Sequence, residues 1–104
     1  MVAQSEAFQT AVVDSKKLTS KPSNDDLLEI YALYKIGTGE DITTAATPGI
    51  FDLKGKAKYN AWKAAADDGL SVEEAQEKYV AKIEEMKATY GYDKDKEPEA
   101  VGAQ

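Results

Sequence analysis

The sequence predicts an all-α protein in which four helices pack as one bundle. Four segments carry apolar residues at intervals of three and four positions, which is the spacing of one helical face. None of the chain shows the alternation of apolar and polar residues that is typical of a strand. The chain has 104 residues, of which 42% are hydrophobic, and this suits one domain with a folded core.

The first two predicted helices are joined by a polar connection that contains a proline. The first helix covers about residues 5–17, and Ser5 is its expected N-cap. The second begins at about residue 22 or 24 and ends at residue 36, and Ser23 is placed to cap it. Gly37 follows the last apolar residue of the stripe. We expect it to end the helix in the left-handed conformation, which glycine adopts without strain.

The third and fourth predicted helices follow a loop over residues 37–49. The third covers about residues 53–66, and Trp62 lies on its inner face among small residues. The fourth begins at a capping box, in which Ser71 and Glu74 each accept a hydrogen bond from the other's backbone amide. Its apolar seam continues at helical spacing through Val72, Ala75, Tyr79, Ile83, Met86 and Tyr90.

Gly91 closes the fourth helix and marks the predicted end of the domain, which covers residues 1–91. Residues 92–104 are rich in Asp, Lys, Glu, Pro, Ala and Gly and carry no apolar stripe. A segment of this composition cannot bury enough apolar surface to offset its loss of conformational entropy. We therefore expect an acidic, disordered C-terminal tail.

The composition argues against several kinds of function. The chain contains no Cys and no His, which removes thiol catalysis, disulfides, and the commonest general base and metal ligand. All 13 cationic side chains are Lys and the net charge is −6, a poor balance for binding nucleic acid. No apolar run approaches the ~20 residues that span a bilayer, and the N-terminus lacks the features of a secretory signal. We expect a cytoplasmic protein that is not an enzyme and holds no metal or cofactor.

Positive charge is concentrated in one stretch of this acidic chain. Residues 54–63 include four lysines and no acid. The four are Lys54, Lys56, Lys58 and Lys63. A lysine run is usually a solvated helix face, and the functional interpretation is a local anion site. The charge pattern alone leaves both interpretations open.

Aromatic residues lie beside a lysine in the second helix. Tyr31 and Tyr34 share one helical face, and Lys35 follows Tyr31 by one turn. A face of this kind can stack a base on a ring and offer an ammonium group to a phosphate. Both tyrosines can equally belong to the core while Lys35 extends into water. The spacing does not decide between these two interpretations.

Two segments carry a resemblance to a known family. Residues 21–35 read KPSNDDLLEIYALYK, and residues 48–62 read PGIFDLKGKAKYNAW. With residues 71–90 and a start near Phe8, they closely resemble the acyl-CoA-binding proteins over most of the chain. The resemblance implies an antiparallel four-helix bundle in an up-down-down-up arrangement. It also implies a carrier that binds medium- and long-chain acyl-CoA esters one to one, buffers their pool in the cytoplasm and catalyses nothing.

The resemblance further implies which residues contact the acyl-CoA. Tyr34 matches the residue that stacks on adenine. Tyr31, Lys35 and Lys58 match those that meet the 3′-phosphate of the ribose. Tyr79 matches an aromatic contact from the fourth helix. The remaining expected contacts are a lysine at the end of the first helix, two basic positions at the rim and an apolar contact for the acyl chain, namely Lys16, Lys21, Lys54 and Leu28.

Residues 36–40 depart from the family pattern. The family usually has Gln, two small residues, a variable position and Gly there, whereas this chain has Ile, Gly, Thr, Gly and Glu. The expected partner is acyl-CoA, with transient contacts to acyl-CoA-using enzymes or to membranes, and we expect a monomer. The alternative function is a helical protein-interaction module that keeps the scaffold without the ligand.

Overall fold

A computed structural model describes residues 4–96 of the chain. Its elements are helix α1 (Glu6–Ser15), helix α2 (Asn24–Gly37), a short 3₁₀ helix (Ile42–Thr44), helix α3 (Leu53–Asp67) and helix α4 (Val72–Tyr90). Helix α2 packs against both α3 and α4, and α1 packs against α4. The predicted all-α fold class is confirmed. None of the helices in the described part of the chain has the length and apolar character needed to cross a membrane.

Each α-helix begins at a short polar side chain that accepts a hydrogen bond from the first turn. The hydroxyl oxygens of Ser5, Ser23 and Ser71 each accept from the backbone amide three residues further on. Asp52 accepts in the same way at the start of α3. At α4 the carboxylate of Glu74 also accepts from the Ser71 amide at 3.1 Å, so the predicted capping box is present.

The expectation for the end of α2 is wrong. Gly37 is the last helical residue and is buried, while the positive φ of 81° belongs to Gly39. A Cβ atom at Gly37 would lie 3.1 Å from Cζ of Phe8 and 3.2 Å from Cγ of Gln76. The Gly37 carbonyl also accepts from Nε2 of Gln76 at 2.8 Å. Side chains from α1 and α4 therefore pack tightly against Gly37, so a larger residue here requires them to shift, and the left-handed turn comes two residues later at Gly39.

The main core lies where α1, α2 and α4 meet. Phe8 and Tyr79 have no exposed surface, and their rings meet edge to face with centroids 5.1 Å apart. The buried residues of this cluster are Phe8, Ala11, Leu18, Ile30, Leu33, Tyr79, Ile83 and Met86. A smaller cluster around Trp62 joins α2 to α3. Trp62 is 5% exposed, which confirms it as a core residue.

The first residues after α4 lie against the connection between α1 and α2. Tyr92 forms an isolated antiparallel bridge with Leu18, and its hydroxyl donates to Oδ1 of Asp14 at 2.8 Å. Residues 92–96 thus make specific contacts with the domain, whereas residues 97–104 lie outside the described residues. The domain boundary at residue 91 and the disordered tail stay predictions.

Candidate functional site

Two lysine side chains lie beside one tyrosine ring where α2 and α3 face each other. Nζ of Lys35 lies 5.6 Å from the centroid of the Tyr31 ring, and Nζ of Lys58 lies 6.0 Å from the same centroid. All three side chains are partly buried. Contacts at this distance are of the cation–π type, which stabilises an ammonium group beside a ring. The structure therefore brings together the three residues that the resemblance assigns to a phosphate.

Trp62 of the smaller core cluster extends this arrangement. Nζ of Lys35 lies 5.6 Å from the centroid of the Trp62 ring, the same distance as from Tyr31. The indole is buried, so it gives the lysine stem a fixed wall to lie against. Lys35 is thus positioned by one aromatic residue from its own helix and one from α3.

A carboxylate that the sequence prediction missed also holds Lys35. Nζ of Lys35 lies 3.0 Å from Oε2 of Glu40 and 3.1 Å from its Oε1. The Glu40 amide donates to the Lys35 carbonyl at 3.1 Å, across the turn that Gly39 makes with its positive φ. The signal that could have found Glu40 is the departure of residues 36–40 from the family pattern, which places an acid just after α2.

The other two predicted tyrosines lie deeper. Tyr34 is partly buried, and its ring centroid is 6.1 Å from that of Phe8 and 6.3 Å from that of Tyr79. It therefore keeps some surface on which a base could stack. Tyr79 is 0% exposed, so contact with a ligand would require the side chains that cover it to move. In this structure Tyr79 is a core residue.

The remaining predicted contacts are spread over the surface. Lys16 is the C-cap of α1, Lys21 is exposed in the connection before α2, and Leu28 is partly buried on α2. None of the contacts described for residues 4–96 joins these three to the ring of Tyr31. Lys54 is exposed one helical turn before Lys58 on α3, and so lies on the same side of that helix.

Two lysines of α4 are ion-paired, whereas most of the predicted ligand lysines form no ion pair among residues 4–96. Nζ of Lys82 lies 2.8 Å from Oδ1 of Asp26, and Nζ of Lys87 lies 2.7 Å from Oδ2 of Asp14. Only one predicted ligand lysine, Lys35, has an acidic partner among residues 4–96. The others, which form no ion pair in that range, are Lys16, Lys21, Lys54 and Lys58.

The Asp26 pair belongs to a polar network that ties α2 to α4. The hydrogen bond from Lys82 and then the hydroxyl of Tyr90 hold the pKa of Asp26 below its usual value. The same hydrogen bond raises the pKa of Lys82, because the carboxylate favours the charged ammonium. Tyr90 also accepts from the Ser23 amide at 3.2 Å. These groups satisfy one another and are not available to a ligand.

The chemistry that this face offers is anion binding beside aromatic rings. Ammonium groups form charge-assisted hydrogen bonds to phosphate, and a partly exposed phenol ring can stack on a base. In the described range, residues 4–96, no group of three or more His, Cys, Asp or Glu side chains is placed to hold a metal ion.

Comparisons with known proteins find similarity over most of the chain. Residues 5–83 match the family model described as Acyl CoA binding protein. The chain is similar to Acyl-CoA-binding protein homolog 1 of Caenorhabditis elegans, with 51% identity over 85 residues, which is 82% of this chain and 95% of that protein. It is similar to the Acyl-CoA-binding protein homolog of Manduca sexta, with 48% identity over 86 residues, 83% of this chain and 93% of the relative. The crystal structure of Oryza sativa Acyl-CoA-Binding Protein 2 superposes with a TM-score of 0.71 at 38% identity, covering 81% of this chain and 90% of that one.

Proposed function

The chain belongs to the acyl-CoA-binding protein family, and from this premise we propose that it binds medium- and long-chain fatty acyl-CoA esters and acts as their carrier and pool buffer. The observation that supports the proposal is that the ammonium groups of Lys35 and Lys58 both lie within about 6 Å of the Tyr31 ring centroid. These residues lie within the matched range 5–83. The helical protein-interaction module considered as the alternative is not favoured, because the family model and the similar proteins are all named for acyl-CoA binding.

The CoA head group binds on the α2–α3 face in this proposal. The ammonium groups of Lys35 and Lys58 and the hydroxyl of Tyr31 meet the 3′-phosphate of the ribose. Hydrogen bonds to charged groups each contribute roughly 1.5–3 kcal/mol, so two lysines suffice for a specific phosphate site. Tyr34 keeps exposed surface beside this cluster, and the adenine ring stacks on it.

The acyl chain supplies the larger part of the affinity in this proposal. Each buried methylene contributes about 0.8 kcal/mol, so a long-chain ester binds far more tightly than free CoA. In this proposal Leu28, which is partly buried, is an apolar contact for the chain, Lys16 is a further ligand contact, and Lys21 and Lys54 are the basic positions at the rim. Tyr79 contacts the ligand only after the side chains that cover it move, because it has no exposed surface in this structure.

The finer points of the biology are also proposals that rest on family membership. We propose that the protein acts in the cytoplasm as a monomer, catalyses nothing and needs no cofactor. Its contacts with acyl-CoA-using enzymes and with membranes are transient, because a carrier must release its ligand to them.

Calorimetric titration of the protein with palmitoyl-CoA, free CoA and palmitate tests the proposal. We expect tight one-to-one binding of the ester and much weaker binding of both fragments, since head and chain are recognised together. Failure of a folded sample to bind the ester would overturn the proposal and would favour reuse of the scaffold as an interaction module.

A further inference from the structure

Three large apolar side chains stand exposed at the start of α3. Ile50 is 73% exposed, Phe51 is 92% exposed and Leu53 is 76% exposed. Elsewhere in the described chain, Val13 at 47% is the other large apolar residue that is exposed, and it lies alone on α1. Scattered apolar residues need no explanation, but a cluster of this kind marks an interaction surface. We call residues 50–53 with the two following lysines, Lys54 and Lys56, the α3 tip.

The backbone holds these side chains outward in a defined turn. The Asp52 amide donates to the Gly49 carbonyl at 3.1 Å, and the Asp52 carboxylate accepts from the Gly55 amide at 2.9 Å. A Cβ atom at Gly55 would collide with that carboxylate, so glycine leaves room for the cap. The exposure of Phe51 is therefore a consequence of an ordered helix start.

The charge around the α3 tip is opposite in sign to that of the whole protein. Lys54 and Lys56 are exposed and make no ion pair among residues 4–96, and Asp52 is the one acid in the tip. Residues 54–63 carry four positive charges, whereas the chain has a net charge of −6. An anionic surface attracts this end of the molecule and repels the rest, which fixes the orientation of approach.

We propose that the α3 tip docks this protein on anionic phospholipid membranes. Phe51 enters the boundary between head groups and acyl chains, as exposed aromatic side chains do at membrane surfaces, and Lys54 and Lys56 contact lipid phosphates. The combination of apolar side chains and adjacent lysines fits a lipid surface, which offers both chemistries at once.

The docked orientation places the ligand-binding lysines near the membrane, and this step of the inference rests on the proposed function. Lys58, which we place at the phosphate of the ligand, lies one helical turn beyond Lys54. A protein docked through the α3 tip therefore brings its CoA-binding lysines to the surface in which the acyl chains of its ligand are embedded. Loading and release can then occur without passage of the free ester through water.

Co-sedimentation with large vesicles, in the absence of acyl-CoA, tests the docking surface. We expect binding to vesicles of phosphatidylcholine mixed with phosphatidylserine, weaker binding to phosphatidylcholine alone, and loss of the difference at high salt. Phe51→Ser should weaken vesicle binding at least tenfold. Lys56→Gln should weaken it about fivefold.

Matched controls distinguish vesicle binding through the α3 tip from nonspecific binding by other exposed side chains. Val13→Ser removes an exposed apolar side chain from α1, and Lys78→Gln removes an exposed lysine from α4. Neither change should alter vesicle binding by more than about twofold. Equal losses in Phe51→Ser and Val13→Ser would overturn the proposal, as would an absence of binding to both kinds of vesicle.

Two further outcomes distinguish this inference from others. Concentration-dependent self-association that Phe51→Ser abolishes, without vesicle binding, would assign the α3 tip to a second copy of the chain and overturn membrane docking. The palmitoyl-CoA titration without vesicles reports on the carrier function separately. A protein that binds the ester but not vesicles keeps the proposed function and loses only this inference.

Discussion

Two lysines of α4, Lys82 and Lys87, differ from Lys58 on the α2–α3 face in what surrounds their ammonium groups. Lys82 and Lys87 lie within 3 Å of Asp26 and Asp14, with side chains 12% and 21% exposed. Lys58 has no acidic partner among residues 4–96 and instead borders an aromatic ring. A paired ammonium has already satisfied its charge, whereas an unpaired one beside a ring is available to a ligand anion. Ion pairing therefore distinguishes Lys82 and Lys87, which hold the fold, from Lys58, which is a candidate for binding the ligand.

Lack of a partner is not sufficient by itself. Lys78 on α4 is exposed and makes no ion pair in the described range, yet no aromatic ring lies beside its ammonium group there. Lys35 shows the intermediate case, because it borders Tyr31 and is also paired with Glu40. The comparison thus rests on two properties together, an available charge and an adjacent ring.

The largest effect on stability should come from the ion-paired lysines of α4. Asp14→Ala removes the acceptor of both Lys87 and Tyr92, so we expect the free energy of unfolding to fall by about 2 kcal/mol. Palmitoyl-CoA affinity of the folded variant should be unchanged. Glu84→Ala is the matched control, since Glu84 also contacts Lys87 but is 64% exposed, and it should cost less than about 0.5 kcal/mol. Urea unfolding followed by circular dichroism measures both, and equal costs would break the comparison.

At Lys58 we expect the opposite result, a loss of ligand affinity without a loss of stability. Lys58→Gln should weaken palmitoyl-CoA binding about tenfold, because one charge-assisted hydrogen bond is lost. Its thermal unfolding should match that of the parent protein, since Lys58 forms no ion pair with any residue from 4 to 96. Lys78→Gln removes a lysine that, within the described part of the chain, also forms no ion pair and has no ring beside its ammonium group, and calorimetry should find the affinity of this variant unchanged. A similar loss in both variants would mean that only overall charge matters.

The paired region should also respond to acid. The pKa of Asp26 is lowered from its usual 3.8 by its hydrogen bonds from Lys82 and Tyr90, so the stability that it contributes is present above pH 3.8. That stability is lost as the pH falls through the lowered pKa. We expect Asp26→Asn to be less stable than the parent by about 1 kcal/mol at neutral pH. In chemical denaturation the gap should narrow as the pH falls from 3.8 through the lowered pKa, and a gap that stays constant on acidification would contradict the assignment.

The smallest expected change in affinity concerns Lys35, which is ion-paired with Glu40 and also lies beside a ring. Glu40 competes with a ligand phosphate for Lys35, so Glu40→Gln should raise palmitoyl-CoA affinity about two- to fivefold. Asp41→Asn removes the adjacent acid, which makes no ion pair with Lys35 in the described residues, and serves as the control. Calorimetric affinities that change equally in the two variants would show that Glu40 acts only through its general charge.

Local features of the fold could be predicted from the sequence, and close tertiary contacts could not. The helix starts at Ser5, Ser23 and Ser71 depend on residues within one turn, so their sequence signals were sufficient. The role of Gly37 depends on α1 and α4 approaching it from elsewhere in the chain. No local pattern carries that information, so the sequence predicts a left-handed glycine after the helix where the structure has a helical, tightly packed one.

The residues of the candidate site likewise fall into those that local spacing predicts and those that only tertiary packing places. Tyr31 and Lys35 could be placed on one face because they are one turn apart on α2. The arrival of Lys58 from α3 followed only from the family resemblance, since helix packing brings it to the ring. The complete burial of Tyr79 depends on three helices meeting around it, and spacing alone cannot distinguish a core tyrosine from a ligand contact.

The most direct test of the lysine comparison uses one variant and two ligands. The parent protein and Lys58→Gln are titrated with palmitoyl-CoA and with palmitoyl-CoA that lacks the 3′-phosphate. If Lys58 beside Tyr31 binds that phosphate, the variant loses about tenfold in affinity for the complete ester and almost none for the dephosphorylated one. The same fold loss for both ligands would show that Lys58 does not meet the 3′-phosphate and would contradict the assignment of the α2–α3 face.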